Sequence, residues 1–369
     1  MRTFVGNGKQ ALALIARALR AGGVGTVLVP RYRCETMVLP FALEGLRVSP
    51  VDVGADLLAD PRALREALAR EPGAAVLHCE TYGNRGGRGL ASALGAARGR
   101  GSAVVLDATH SVVDRLVGAG GAPGPPRGAA AGRGGSEPGD RAPGWDAVVA
   151  SARKLLPAPD GAWLAWPDAS PLAAGLARAV AALPERRPAD ELVTALGVEL
   201  GRALESMRAS RGRRREELRL EVCRIAARHV DAIEAALTPA PASARAVALL
   251  EGLRPGELRP RARAAHSLRT RLDARLRACG LRVVNPGSAG CVALGAAGPA
   301  GGGAPDPRAV RALDAVEEAL ARAGRWGPVS WSDPDGGARA WPSVVTVPTD
   351  EPGRVEELAD VVGAALDGD

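Results

Sequence analysis

The feature that most constrains this chain is a succession of short apolar runs, each followed by a stretch of helical periodicity. The runs fall at residues 26–29, 47–51, 74–78, 103–106, 147–150 and 162–166. They are short, apolar and rich in valine, as buried strands are. Between them lie helical patterns at 9–20, 35–43, 61–70 and 90–98. In the first, Leu12, Ile15, Ala16 and Leu19 share one face at i, i+3, i+4 and i+7, and Gly22-Gly23 closes it. Pro61 opens the third. Such alternation predicts an α/β fold, a mostly parallel sheet sandwiched by helices on both faces. From Pro167 to Leu237 the pattern is helical. Beyond it, strands at 291–294 and 344–347 alternate with helices at 308–323 and 353–366. The chain therefore divides into a large domain, 1–237, and a smaller α+β C-terminal domain, 238–369. Residues 118–144 are rich in Gly and Pro and have no period. Ordering them would cost more backbone entropy than their small side chains could offset, so a flexible insertion is expected there.

No apolar run reaches the roughly 18–20 residues of a membrane span. The start, MRTFVGNGKQALAL, has no signal-peptide pattern, so a cytoplasmic protein with no membrane partner is expected. The net charge of +7 points toward nucleic acid only at first sight. Of the 48 basic residues all but Lys9 and Lys154 are arginine, scattered among Asp and Glu. The densest run, Arg211 to Arg215, leads into EELRLE, a mixed-charge helix facing solvent, and no nucleic-acid partner is expected. The five cysteines lack ligand spacing, so the reading is buried free thiols, no metal and no disulfide framework. His78-Cys79 is no catalytic pair, because neighbours on a strand face opposite sides.

Where arginine replaces lysine almost everywhere, a retained lysine marks a candidate amine. Guanidinium stays protonated, whereas an amine can lose its proton and attack a carbonyl. Lys154 follows a strand in Ser151-Ala152-Arg153-Lys154. A second strand ends in Asp107-Ala108-Thr109-His110. The first helix starts at Gly6-Asn7-Gly8-Lys9-Gln10, a backbone suited to an anion. It is not a P-loop, because Thr3 stands where the first glycine would and no Ser or Thr follows Lys9. Ligands of open α/β sheets bind outside the carboxyl ends of the strands. A lysine, a carboxylate and an anion site gathered there are what pyridoxal 5'-phosphate (PLP) requires.

These motifs resemble the fold-type-I PLP enzymes of the aspartate aminotransferase superfamily, nearest the DegT-type branch with its many sugar aminotransferases. GNGKQALALIARAL resembles the phosphate-binding opening, TVLVPRYRCET the aromatic-bearing segment over the cofactor, VVLDATHSV the pyridine-nitrogen motif, and SARKLLPAPDGAWLA the Schiff-base lysine segment. LRVSPVDVGADLLADPRALREAL is similar to the branch's linker and helix. The resemblance implies Lys154 as the Schiff-base lysine and Asp107 as the partner of the pyridinium nitrogen. It implies His110 near the ring or its 3-oxygen, and Ser151 with Gly8, Lys9 and Gln10 around the phosphate. Tyr32 or Cys34 would lie over the ring face. Arg339 is a candidate for a substrate carboxylate. The activity implied is PLP-dependent transfer of an amino group from an amino-acid donor to a keto acceptor, in a cytoplasmic homodimer with its site at the subunit interface. Two other readings stand beside it: a PLP enzyme of another class (lyase, racemase, decarboxylase or carbon–carbon bond-former) and an inactive partner protein. The sequence departs from the family in lacking the usual arm before the phosphate-binding turn and in carrying the insertion at 118–144.

Overall fold

The computed structural model describes residues 1–118, 144–296, 306–327, 330–331 and 343–368. The expected insertion, save its ends, and Arg339 lie outside the described residues. The strands are β1 (Arg2–Val5), β2 (Thr26–Pro30), β3 (Arg47–Val51), β4 (Ala75–Cys79), β5 (Val104–Asp107), β6 (Ala147–Ser151), β7 (Ala162–Ala165), β8 (Leu281–Val283), β9 (Cys291–Ala296) and β10 (Val344–Pro348). The helices are α1 (Gly8–Ala21), α2 (Glu35–Leu43), α3 (Pro61–Arg70), α4 (Arg88–Gly99), α5 (Val112–Gly118), α6 (Ala173–Ala181), α7 (Pro188–Ala209), α8 (Gly212–Ala235), α9 (Ala244–Gly252), α10 (Pro255–Ala278), α11 (Pro307–Arg322) and α12 (Val355–Asp367). None of the described helices is long and apolar enough to cross a membrane.

The first seven strands form one sheet in the order β1-β7-β6-β5-β4-β2-β3. Strand β7 runs antiparallel to β1 and β6, and the other pairings are parallel. The expected mostly parallel sheet is therefore present. Successive side chains point to opposite faces. On one face Val27, Val29, Leu77, Val105, Val149 and Leu164 pack under α1, α2 and α6. On the other, Leu28, Val76, Val104, Leu106 and Val148 pack under α3, α4 and α5. His78 and Cys79 obey the same rule. His78 stacks on Trp145 (centroids 5.5 Å, planes 11° apart), while Cys79 joins the opposite core. Each Leu or Val buried this way contributes about 1.5–3 kcal/mol.

Helix α1 is capped by Asn7, whose side chain accepts the Gln10 N–H at 2.9 Å. Asp60 caps α3, accepting from Arg62 and Ala63 beside the Pro61 start. Helices α7 and α8 pair as a hairpin. The charge run at its turn is solvated as expected: Arg213 and Arg214 pair with Glu217 in the open. All five cysteines are free, but only Cys79, Cys279 and Cys291 are buried as expected: Cys34 at the start of α2 is half-buried, and Cys223 is exposed on the outward face of α8.

The second sheet is small and antiparallel, ordered β10-β9-β8, and backed by α10, α11 and α12. Helix α10 joins the two cores. Its Leu258 packs with the large sheet's core, while Leu268, Leu272 and Leu276 belong to the small one.

Candidate active site

The parallel pairing brings three strand ends into line. Cys79 of β4 sits opposite Asp107 of β5, and Asp107 opposite Val149 of β6. The turns that follow carry Glu80, Thr81 and Tyr82; Thr109 and His110; and Ser151 to Lys154. Met37, Cys79, Glu80, Thr81, Asp107, Thr109, His110, Lys154 and Trp331 line one cleft there.

Asp107 is buried, and one of its carboxylate oxygens accepts the Thr109 N–H at 2.9 Å. Burial pushes its carboxyl above the ordinary range; the Thr109 bonds and the Lys154 charge oppose that. A cation brought to this carboxylate would hold it ionised. Thr109 in turn accepts the Ser151 N–H at 3.0 Å, so the Asp107 and Lys154 turns are tied together. His110 accepts the Tyr82 N–H at Nδ1, 3.0 Å away. Burial, and then the Lys154 charge, hold its pKa well below the ordinary value, so the ring is neutral with its proton on Nε2.

The chain is poor in aromatics (3%), yet both of its tyrosines meet here. Tyr82 stacks on His110 (5.4 Å, 9°), and Trp331 stacks on both (5.9 Å, 13°; 5.7 Å, 14°). Tyr32 tilts against Trp331 at 5.0 Å, and its hydroxyl bonds that of Tyr82 at 2.8 Å. Burial raises both tyrosine pKa values. Tyr82 holds a left-handed backbone (φ +53°), a conformation few non-glycine residues adopt. Gly83 beside it requires glycine: φ is +83°, and a Cβ would lie 2.9 Å from Ser288 Cβ and 3.1 Å from the His110 carbonyl. Asn285 secures the turn by donating to the Tyr82 carbonyl at 2.7 Å.

The other expected residues are placed as follows. Gly8 packs against Ser151, where a Cβ on it would lie 3.2 Å from that of Ser151. Lys9 reaches from α1 to the Glu234 carbonyl at 2.7 Å, and burial lowers its pKa. The Gln10 amide donates to Asp190 and to the carbonyls of Ala236 and Thr238. Both side chains thus serve the junction between α1 and the α7–α8 hairpin. Cys34 lies at the start of α2, 2.9 Å from the Thr36 hydroxyl, and it is Met37 that reaches the cleft.

Sequence reasoning did not find Thr81, Glu80 or Trp331. Glu80 is buried in an ion pair with Arg115 (2.9 Å from Nε) and bonds Ser111. The Thr81 hydroxyl is buried with no hydrogen-bond partner among the described residues. Buried polar groups are normally bonded, so this oxygen in the cleft wall fits a ligand atom. Acid, amine, orphaned hydroxyl and helix N-terminus together fit PLP.

The fold is similar to that of the DegT/DnrJ/EryC1/StrS aminotransferases, one of which, from Brucella abortus, is similar at 13% identity and TM-score 0.52 over 100% of this chain and 85% of that one. No family model and no curated protein matches the chain by sequence. Among solved structures, Helicobacter pylori PseC, an aminotransferase involved in the biosynthesis of pseudoaminic acid, is similar at 10% identity and TM-score 0.59, over 100% of this chain and 87% of that one. The aminotransferase TlmJ from Streptoalloteichus hindustanus is similar at 18% identity and TM-score 0.56, over 100% and 86%. A sphingosine-1-phosphate lyase from Burkholderia pseudomallei is similar at 15% identity and TM-score 0.53, over 99% and 70%.

Proposed function

We propose that this chain is a PLP-dependent aminotransferase that moves an amino group from an amino-acid donor to a keto acceptor, a keto sugar or another small biosynthetic intermediate. The observation that carries this reading is the meeting of Asp107 and Lys154, from separate strand ends, in one cleft whose wall holds the unpartnered Thr81 hydroxyl. The cofactor, when bound, supplies an electron sink for the bonds at the substrate's α-carbon. Lys154 provides the amine that holds the cofactor's aldehyde carbon and, once released, carries a proton as general acid and base. The buried Asp107 carboxylate would pair with the ring nitrogen and hold its proton there. Neutral His110 offers Nε2–H to an oxygen at the ring edge. Ser151, which packs against Gly8, and the first-turn N–H groups of α1 would hold the phosphate.

Helix α2 supports a homodimer. It exposes Leu39 and Leu43 while its Met37 reaches the cleft, so an apolar surface lies beside the site. Light scattering should show two chains per particle.

The test is spectroscopic. Purified protein given PLP should turn yellow, and borohydride should fix a pyridoxyl mass on Lys154. An amino donor added without borohydride should bleach the visible band. Protein that stays colourless refutes the reading. The shared fold with a lyase favours a second reading, a PLP enzyme of another reaction class. Colour without bleaching by any amino donor would select it.

A further inference from the structure

Helix α10 buries one stripe, in which Leu258, Ala265, Leu268, Leu272 and Leu276 follow one another at helical spacing. Position 261 falls in the same row, where an apolar side chain would pack. Arg261 stands there instead, and it is 6% exposed. Charged groups withdrawn from water are normally paired with an opposite charge. Arg325 pairs in this way with Glu351, Arg115 with Glu80 and Arg186 with Asp160. Arg261 forms no ion pair among the described residues. Burial lowers its pKa, and Asp350 and Asp114 oppose that without touching it. Its partners are two backbone carbonyls: Nη1 donates to that of Leu155, and Nη2 to that of Gly290 at 3.4 Å.

Leu155 directly follows Lys154. The N–H groups of Leu155 and Leu156 donate to the Ala152 carbonyl at 3.3 and 3.0 Å, which closes a tight turn around the lysine. The Leu155 carbonyl is left for α10, where Arg261 takes it. The Leu155 side chain leans on Gly290 as well, since a Cβ there would lie 2.8 Å from Leu155 Cδ1. Gly290 is itself fixed, because the Thr349 hydroxyl bonds its carbonyl at 2.9 Å. At the other end of the turn, the Ser151 N–H donates to the Thr109 hydroxyl. The lysine turn is therefore tied to the Asp107 turn on one side and to α10 and the Gly290 loop on the other.

We propose that Arg261 is a positioning residue for Lys154: its guanidinium fork spans the Leu155 and Gly290 carbonyls and so fixes where the amine stands in the cleft. This rests on the PLP reading above and deepens it by naming what holds the reactive lysine. The fork explains why the row carries an arginine. Leucine or methionine would fill the space but leave the buried Leu155 carbonyl unpaired, and a lysine would present a single point charge.

The test compares Arg261→Met and Arg261→Lys with Arg325→Met, which removes an equally buried guanidinium that has no contact with the lysine turn. Two rates are read by mass spectrometry. The first is acylation of Lys154 in the apoprotein by N-hydroxysuccinimidyl acetate. The second is capture of added PLP by Lys154, trapped with borohydride. Arg261→Met should release the turn, so acylation rises several-fold while capture of PLP slows by about 10- to 100-fold. Arg261→Lys should recover part of both rates, and Arg325→Met should match wild type in both. Gly290→Ala pushes the same turn with Arg261 in place and should also slow capture, so the assignment stays testable if Arg261→Met fails to fold. If the Arg261 variants that fold and Gly290→Ala match wild type in both rates, or if Arg325→Met shifts them as far as Arg261→Met, the assignment is overturned and the PLP reading stands. If the wild type captures no PLP, the PLP reading falls; acylation then decides alone, and a rate unchanged in the Arg261 variants refutes the positioning role.

Discussion

The Thr81 hydroxyl makes a two-signed prediction. Thr81 is 2% exposed, and its oxygen has no partner among the described residues. Burying a hydroxyl without a bond costs about 1–3 kcal/mol. Thr81→Val keeps the shape and replaces that oxygen with a methyl group. The apoprotein should therefore become more stable, by about 1–2 kcal/mol, since the relief is partial where the cleft admits water. The holoprotein should respond the other way. A hydroxyl bond to the cofactor is worth about 0.5–1.5 kcal/mol net, so PLP affinity should fall by about 2- to 10-fold. Saturating ligand stabilises in proportion to the logarithm of its concentration over Kd, so the stabilisation conferred by a fixed PLP concentration should shrink. Urea unfolding of both variants, with and without PLP, measures the two effects together. If Thr81→Val destabilises the apoprotein by 1 kcal/mol or more (about the cost of an ordinary buried hydrogen bond) and leaves PLP affinity unchanged, the hydroxyl has a protein partner and the argument fails.

Three further outcomes follow from the geometry. Asp107→Asn should fold at least as well as wild type, since the amide oxygen still accepts the Thr109 N–H, yet lose about 100-fold or more in turnover; activity close to wild type would place the ring-nitrogen partner elsewhere. Asp114 accepts the Ala289 N–H at 2.7 Å, and burial raises its pKa from 3.8 to about 6. Because the folded value lies above the unfolded one, the proton is bound more tightly in the folded state. Relative stability from this group is full below about pH 4 and lost as pH rises through 6, by up to about 3 kcal/mol. Asp114→Asn should therefore unfold at a higher temperature than wild type at pH 8, and the gap should close near pH 4; a gap independent of pH refutes the assignment. Gly83→Ala adds left-handed strain of about 1–2 kcal/mol and overpacking of about 1–3 kcal/mol against Ser288. A loss under 1 kcal/mol in denaturant unfolding would mean the turn relaxes freely.

The sequence spoke clearly where local chemistry and tertiary structure agree. Strands β2 and β4 to β7 were legible because each is a short, mostly apolar run buried on both faces. Helix α3 was legible from Pro61, and Asp60 supplies its cap. Strand β1 was not, because Arg2–Val5 has no alternation of its own and takes its strand character from pairing with β7. Helix α10 escaped notice because its apolar face, Leu258, Leu268, Leu272 and Leu276, is diluted by arginines and interrupted by Pro260. The positions of Asp107, which ends β5, and Lys154, three residues past the end of β6, could be read from those strands. Thr81 and Trp331 could not. One follows a strand without any motif, and the other comes from a distant stretch and enters the cleft only through the fold. The commitment of Gln10 to Asp190 was equally hidden, since the partner is 180 residues away.

The anchoring of Lys9 has a practical side. A chain of this size usually carries many amines, and an acylating reagent then labels it diffusely. Here the lysines number two, Lys9 and Lys154. Lys9 is buried with its ammonium on a carbonyl. Lysine-directed chemistry is thereby funnelled toward Lys154. Lysine-coupled dyes and activated resins, which spread over the surface of most proteins, would react with this one in the cleft that Lys154 lines. Thiol coupling through exposed Cys223 would tether it by the outer face of α8 and leave the cleft open.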